Sequence, residues 1–157
     1  MAFVTDGTLG INLMETDTAL GEFSLLTLKP ANDGNWYQKV QANGAISQYA
    51  FVKVDIDGQA VELTTAISGS EPTAVGCAQI AAADNDYFWV ARGGGTFTGE
   101  TAAAIAVDVK IHTTATAGAV DDTGGDVIQG LVALAATGGA ANTTFFSPTL
   151  MTTNSET

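Results

Sequence analysis

The stretch Val75–Gly93, VGCAQIAAADNDYFWVARG, decides the fold, because it reads as strand, turn and strand with almost no reactive side chains. Asp84-Asn85 supplies the turn, since both residue types bond their own backbone and tolerate left-handed conformations. In Tyr87-Phe88-Trp89-Val90, side chains alternate across the strand, so Tyr87 and Trp89 share one face and Phe88 and Val90 the other. Bulk on both faces predicts a strand covered twice, by its own core and by a second layer for which a neighbouring subunit is a candidate. Val107–Gly124, VDVKIHTTATAGAVDDTG, has the same character. Both segments suit a part that binds by shape.

Working outward, runs of strand length recur at Phe23–Leu28, Trp36–Gln41, Tyr49–Asp55, Ala60–Thr65, Ala74–Ala81, Tyr87–Ala91, Ala106–Thr113, Val127–Ala135 and Thr143–Leu150, with turn formers between them. Asp57-Gly58, between FVKVDI and QAVELT, predicts a two-residue hairpin of type I′. Gly93-Gly94-Gly95 predicts a flexible hairpin tip after Trp89 and Val90. TAAAIAV at 101–107 admits a short helix, but it runs directly into a strand-like segment. No window carries the i, i+3, i+4, i+7 pattern with caps that marks a longer helix. The fold class expected is therefore all-β: a small barrel or sandwich of short antiparallel strands. Residues 1–22, with Phe3, Val4, Leu9 and Ile11 scattered among polar residues, read as an extended N-terminal arm that contacts other chains. Residues 23–150 form the β-rich domain, with two sub-barrels split near 68–74 as an alternative, and 151–157 form a C-terminal tail.

Composition limits what the chain does. It has 157 residues, 46% hydrophobic but only 14% charged, with 18 glycines. A surface that neutral is normally covered by partners, which points to a homo-oligomer. Five basic residues (Lys29, Lys39, Lys53, Arg92, Lys110) face 17 acidic ones, for a formal net charge of −12. Nucleic-acid binding needs clustered cations, so none is expected. MAFVTDGTLG lacks the basic region of a signal peptide and no apolar run is long enough to span a bilayer, so neither a leader nor a membrane partner is expected.

Chemistry-bearing residues are sparse. Cys77, the single cysteine, sits between Gly76 and Ala78 with no cation to lower its pKa, and reads as a buried structural thiol. His112, the single histidine, belongs to no zinc spacing and no nucleophile motif. The acidic groups Asp55/Asp57, Asp84/Asp86 and Asp121/Asp122/Asp126 sit at turns without completing a calcium-loop pattern, and Asx-turn bonding accounts for them. RGGG at 92–95 lacks the remainder of a phosphate loop. No catalytic residue, cofactor or metal is expected. Trp36 and Trp89 are the candidate contact aromatics, together with the arm residues.

Three segments, WYQKVQANGAISQYAFVKVD (36–55), VGCAQIAAADNDYFWVARGG (75–94) and IHTTATAGAVDDTGGDVIQGLVALA (111–135), resemble the small capsid decoration, or cement, proteins of tailed bacteriophages, especially the virion structural proteins of marine phages. The pattern A-x-N-[DE]-Y-x-W-V is matched by Ala83–Val90, and T-x-A-T-A-G-x-[LV]-D-D by Thr113–Asp122. The chain departs from it at Phe88, where a small residue is common, and at Ile111-His112, where Leu-Tyr is usual. The resemblance implies a β-rich clamp on the outside of an icosahedral head, bridging major capsid proteins, often as a trimer and without an active site. A tail or fibre component and a carbohydrate-binding module on the virion surface are the alternatives.

Overall fold

The computed structural model describes residues 13–68 and 73–154, of which 42% are in strands and 3% in helix. The chain is all-β. Its first sheet contains β1 (Leu28–Pro30), β2 (Trp36–Ala42), β3 (Phe51–Val54), β4 (Gln59–Glu62), β5 (Ala74–Ala78) and β6 (Tyr87–Gly93). Beyond the order β1-β2-β4-β3-β5-β6, β2 also pairs with β6, which closes five strands into a small barrel with β1 attached to β2. The closing seam is antiparallel, from Gln41↔Tyr87 to Trp36↔Gly93, with an irregularity between Trp36 and Tyr37. One barrel pair, β2 with β4, is parallel. A single helical turn, α1 (Thr65–Ser68), lies between β4 and β5.

The second sheet comprises β7 (Thr96–Thr101), β8 (Ile111–Thr113), β9 (Val120–Asp121), β10 (Val127–Ile128), β11 (Val132–Ala133), β12 (Ala141–Phe146) and β13 (Thr153–Asn154). Their order is β11-β12-β7-β9-β8-β10-β13. β7 and β12 carry it, paired from Phe146↔Thr96 to Ala141↔Thr101 with Phe145 opposite Phe97.

Alternation along the barrel strands sorts the core into two clusters. Val40, Ala42, Val52, Val54, Ala60, Ala78, Phe88 and Val90 belong to one cluster, which fills the barrel. Tyr37, Phe51, Val75, Cys77, Trp89 and Ala91, on the opposite faces of the same strands, belong to the other, with Phe97, Ile111, Val120, Ile128 and Phe145 of the second sheet. The expectation for β6 is met: Phe88 and Val90 lie in one cluster, Trp89 and Ala91 in the other, and the second cover comes from the chain itself. At the centre of the inter-sheet layer, Phe51 meets Phe145 edge to face at 5.3 Å and Phe97 at 6.2 Å. Each such ring pair contributes about 0.5–1.5 kcal/mol beyond area burial.

The local expectations fare unevenly. The β3–β4 hairpin forms, but its loop is not type I′: Gly58 takes φ +81 while Asp57 stays out of the positive region, and Asp55 N–H bonds the Gln59 carbonyl. Three residues, Ile56 to Gly58, thus close it, with glycine in the left-handed position. Gly93–Gly95 is no free tip. It carries the chain from barrel to second sheet against packed neighbours, and a Cβ on Gly93 would lie 2.1 Å from the Thr149 carbonyl oxygen. Phe23–Leu28 turns instead of pairing, with Leu26 at φ +66, so that only Leu28–Pro30 is strand. Ala106–Thr113 is strand only from Ile111, and Val127–Ala135 breaks at Gly130 (φ +76) into β10 and β11. TAAAIAV forms no helix.

The boundaries also differ from those read in the sequence. β4 and β5, on either side of 68–74, belong to one barrel, and the change of sheet comes at Gly93–Gly95. Within 1–22, Leu13 is buried and Asp17 exchanges backbone hydrogen bonds with Tyr87, so this part of the arm lies on its own barrel. Phe3, Val4, Leu9 and Ile11 lie outside the described residues. The tail is partly structural, since Met151 is buried and Thr153–Asn154 forms β13.

A narrow barrel has room for backbone only at Gly76, where an added Cβ would meet Val90 Cγ2 at 2.6 Å and Cβ at 2.9 Å. Gly76→Ala is therefore expected to destabilise the chain by about 1–3 kcal/mol through overpacking. Gly138→Ala, with nothing within 4 Å of its Cβ, serves as the neutral control. Urea denaturation of both variants checks this, and a Gly76→Ala midpoint equal to that of Gly138→Ala would refute the packing account.

Candidate functional site

Each reactive candidate is occupied by the fold. Cys77 is fully buried on β5, its Sγ 3.2 Å from the Thr98 carbonyl oxygen and 3.4 Å from that of Tyr49. Burial pushes its pKa far above the usual thiol range, which removes the thiolate that a nucleophile requires. His112 Nδ1 lies 3.0 Å from the Gly125 carbonyl oxygen, so that nitrogen carries the proton and ties β8 to the glycine loop.

The acidic turns hold backbone. Asp84 Oδ1 accepts from Gly44 N–H at 2.8 Å, Asp86 Oδ2 from Ala83 N–H at 3.1 Å, and Asp55 Oδ1 from both Asp57 and Gln59 N–H. In the DDTGGD loop, Asp122 accepts from Ala106 N–H and Asp121 from Asp122 N–H, while Asp126 takes the buried Ser68 hydroxyl. Asp55, which accepts from the amide two residues on, makes an Asx turn, whereas Asp84, Asp122 and Asp126 tie segments 40, 16 and 58 residues apart in sequence. Among the described residues no group of three or more His, Cys, Asp or Glu could hold a metal.

Arg92, the head of the RGGG run, is 6% exposed. Its guanidinium donates to the carbonyls of Val75 (2.7 Å) and Met151 (3.2 Å) and to the Gln38 side chain. It staples β2, β5 and the segment before β13. Desolvation lowers its pKa, yet a guanidinium stays protonated, so the charge is balanced by oriented carbonyls. Lys39 is 3% exposed, its Nζ 3.1 Å from Asp17 and 5.7 Å from the centroid of the Trp89 ring. Two of the five cations are therefore internal.

Apolar surface is what the fold displays. Trp89 is 2% exposed and packs edge to face on Phe23 at 5.7 Å, so it is not at the surface of this chain. Trp36 is 40% exposed. Its indole lies over Gly94, where a Cβ would come within 2.9 Å of Cδ1, and this glycine keeps the ring in place. With Leu28, Pro148, Thr149 and Leu150 it lines an apolar concavity of about 360 Å³. A second exposed apolar feature lies at the turn between β3 and β4. Ile56, at the β3–β4 turn, is 90% exposed, and Leu26 is exposed beside the same turn. The signal was there in DIDG, an isoleucine in a turn position that normally takes polar residues.

No described helix is long and apolar enough to cross a membrane. Comparison with protein-family models, with curated proteins and with solved structures finds no match for this chain.

Two buried acids give a pH signature. Tyr37 donates to Asp33 Oδ2 at 2.8 Å, and burial followed by that carboxylate raises its pKa, as burial raises that of Cys77. A folded pKa above the unfolded one stabilises fully below the unfolded value, and that contribution is lost as pH rises. The loss should begin near pH 8.5 for Cys77 and near pH 10 for Tyr37, each at about 1.4 kcal/mol per pH unit. Thermal melts between pH 7 and 11 are expected to show this decline, with an onset delayed in Cys77→Ala and a shallower upper limb in Tyr37→Phe.

Proposed function

We propose that this chain is a non-enzymatic virion structural protein, a decoration protein that binds the outside of an icosahedral capsid and reinforces contacts between major capsid proteins. The observation that carries the reading is the surface. Eight large apolar side chains (Met14, Leu20, Leu26, Trp36, Ile56, Val107, Leu134 and Leu150) are 37% exposed or more among the described residues. They stand on a hydrogen-bonded β scaffold in which the turn residues Asp84 and Asp86 and the single histidine bond its own backbone. The likeness of 36–55, 75–94 and 111–135 to phage decoration proteins names the partner class. The same likeness implies a homo-oligomer, with a trimer as its arrangement.

Charge supports an exterior position. A chain of net charge −12 whose Lys39 and Arg92 are internal has little to offer packaged nucleic acid. Purified undecorated heads of a tailed phage are the direct probe. Saturable binding is expected, changing by less than about tenfold between low and molar salt, where nucleic-acid binders lose about a thousandfold or more. Deleting Met1–Leu9 is expected to weaken it without unfolding the β domain. Folded protein that leaves heads bare, but binds a glycan array through Trp36 and loses that binding in Trp36→Ala, would replace this reading with the carbohydrate-binding one.

A further inference from the structure

Ile56 is the most exposed of the eight large apolar side chains, at 90%. A lone exposed aliphatic residue needs no explanation, but this one is presented. Asp55 Oδ1 accepts from Asp57 N–H (3.0 Å) and Gln59 N–H (2.8 Å), Gly58 N–H bonds the Asp55 carbonyl (3.1 Å), and Gln41 N–H holds the Gly58 carbonyl (2.9 Å). These bonds fix the turn against β2, so the side chain stands on rigid backbone and would lose little freedom on binding.

A second observation comes from another part of the chain. Leu26 has φ +66, a conformation that strains a leucine and that glycine adopts freely. It is nevertheless a leucine, 38% exposed. It lies against the same turn, since a Cβ on Gly58 would fall 2.8 Å from Leu25 Cβ and 3.3 Å from Leu26 Cγ. One end of the barrel therefore carries an unsupported isoleucine and a strained, exposed leucine, with Asp55 and Asp57 flanking the isoleucine. Lys53, on the same hairpin, gives its ammonium to the Ile67 carbonyl at 3.1 Å.

We propose that this tip is the element by which the chain docks on its protein partner: Ile56, with Leu26 beside it, enters an apolar pocket whose rim carries lysine or arginine side chains facing Asp55 and Asp57. The proposal rests on the decoration reading, in which that partner is the major capsid protein. Charge selects the occupant. A second copy of this chain, at −12 with Lys39 and Arg92 buried, repels two further carboxylates, and an anionic membrane does the same.

The test measures binding of the full chain and its variants to undecorated heads, with thermal melts and sedimentation of each. Ile56→Ser should keep the parental melting temperature, because the side chain is 90% exposed, and weaken head binding by about tenfold or more, as loss of an anchoring side chain does. Leu26→Gly should melt higher, by relief of strain, and still bind more weakly. Asp57→Asn should weaken binding several-fold and flatten its salt dependence. Wild-type levels of binding by a folded Ile56→Ser overturn the tip while leaving the decoration reading in place. A folded parent chain that does not bind heads overturns that reading, and this partner with it. Self-association of the parent abolished by Ile56→Ser would make the occupant a second copy, against the proposal.

Discussion

Closing a barrel with only five strands is the constraint on which the rest of this structure depends. So few strands enclose little volume, so the interior accepts mostly valine and alanine, with Phe88 as its large side chain and bare backbone at Gly76. The bulky residues of the same strands, Tyr37, Phe51 and Trp89, fall on the outer face. A barrel with aromatics outside cannot stand alone in water, and the second sheet is the consequence. Gly99 of β7 lets the layers meet: a Cβ there would lie 2.6 Å from the Phe51 ring. Ring and glycine are one packing decision made by two strands far apart in sequence.

The same economy governs the charges. Lys39 and Arg92 each sit on a barrel strand at the boundary between barrel and covering chain, and each is buried with acceptors from a segment that must be held down. Asp17 brings the first described residues onto β2, and the Met151 carbonyl brings the end of the chain onto β6, whose own Arg92 carbonyl receives Met151 N–H at 2.8 Å. Buried cations of this kind cost desolvation, so they stabilise only while those contacts persist. They fix the segments around Asp17 and Met151, and they remove positive charge from the surface.

How far this was legible in the sequence follows from what each signal depends on. β2 to β6 could be read because their alternation is set by two apolar layers, one on each face, and the YFWV run stated that outright. β7 could not: in TFTGET the core-facing positions are Phe97, Gly99 and Thr101, and the glycine demanded by the Phe51 ring erased the apolar period. β9 and β13 have two residues each, too short for any period to show, while β10 and β11 lie inside the single run Val127–Ala135, which Gly130 divides. Phe23–Leu28 had strand composition, but Leu26 turns the backbone where only tertiary contact with Gly58 and Lys39 could reveal it. Of the candidate contact residues, Trp36 is exposed as surface and Trp89 is internal, because β6 is covered on both faces by its own chain. Ile56 is hard to read from sequence because the Asp-Gly pair that follows it marks the turn and not the residue the turn displays.

A rigid β scaffold with dispersed apolar contacts has a particular thermodynamic character. Binding orders little backbone, so even a modest apolar contact keeps most of its free energy. On the decoration reading, a homo-oligomer presents that contact several times to subunits already held in a lattice, and each further contact forms at the effective concentration set by the first. Affinity then comes from geometry and repetition, which suits a surface of net charge −12 with few cations to spend on long-range attraction. The acidic background does a second job at the β3–β4 turn, where Asp55 and Asp57 disfavour a surface of like charge. On that same reading, specificity resides in where the carboxylates stand, and attraction in the apolar side chains between them.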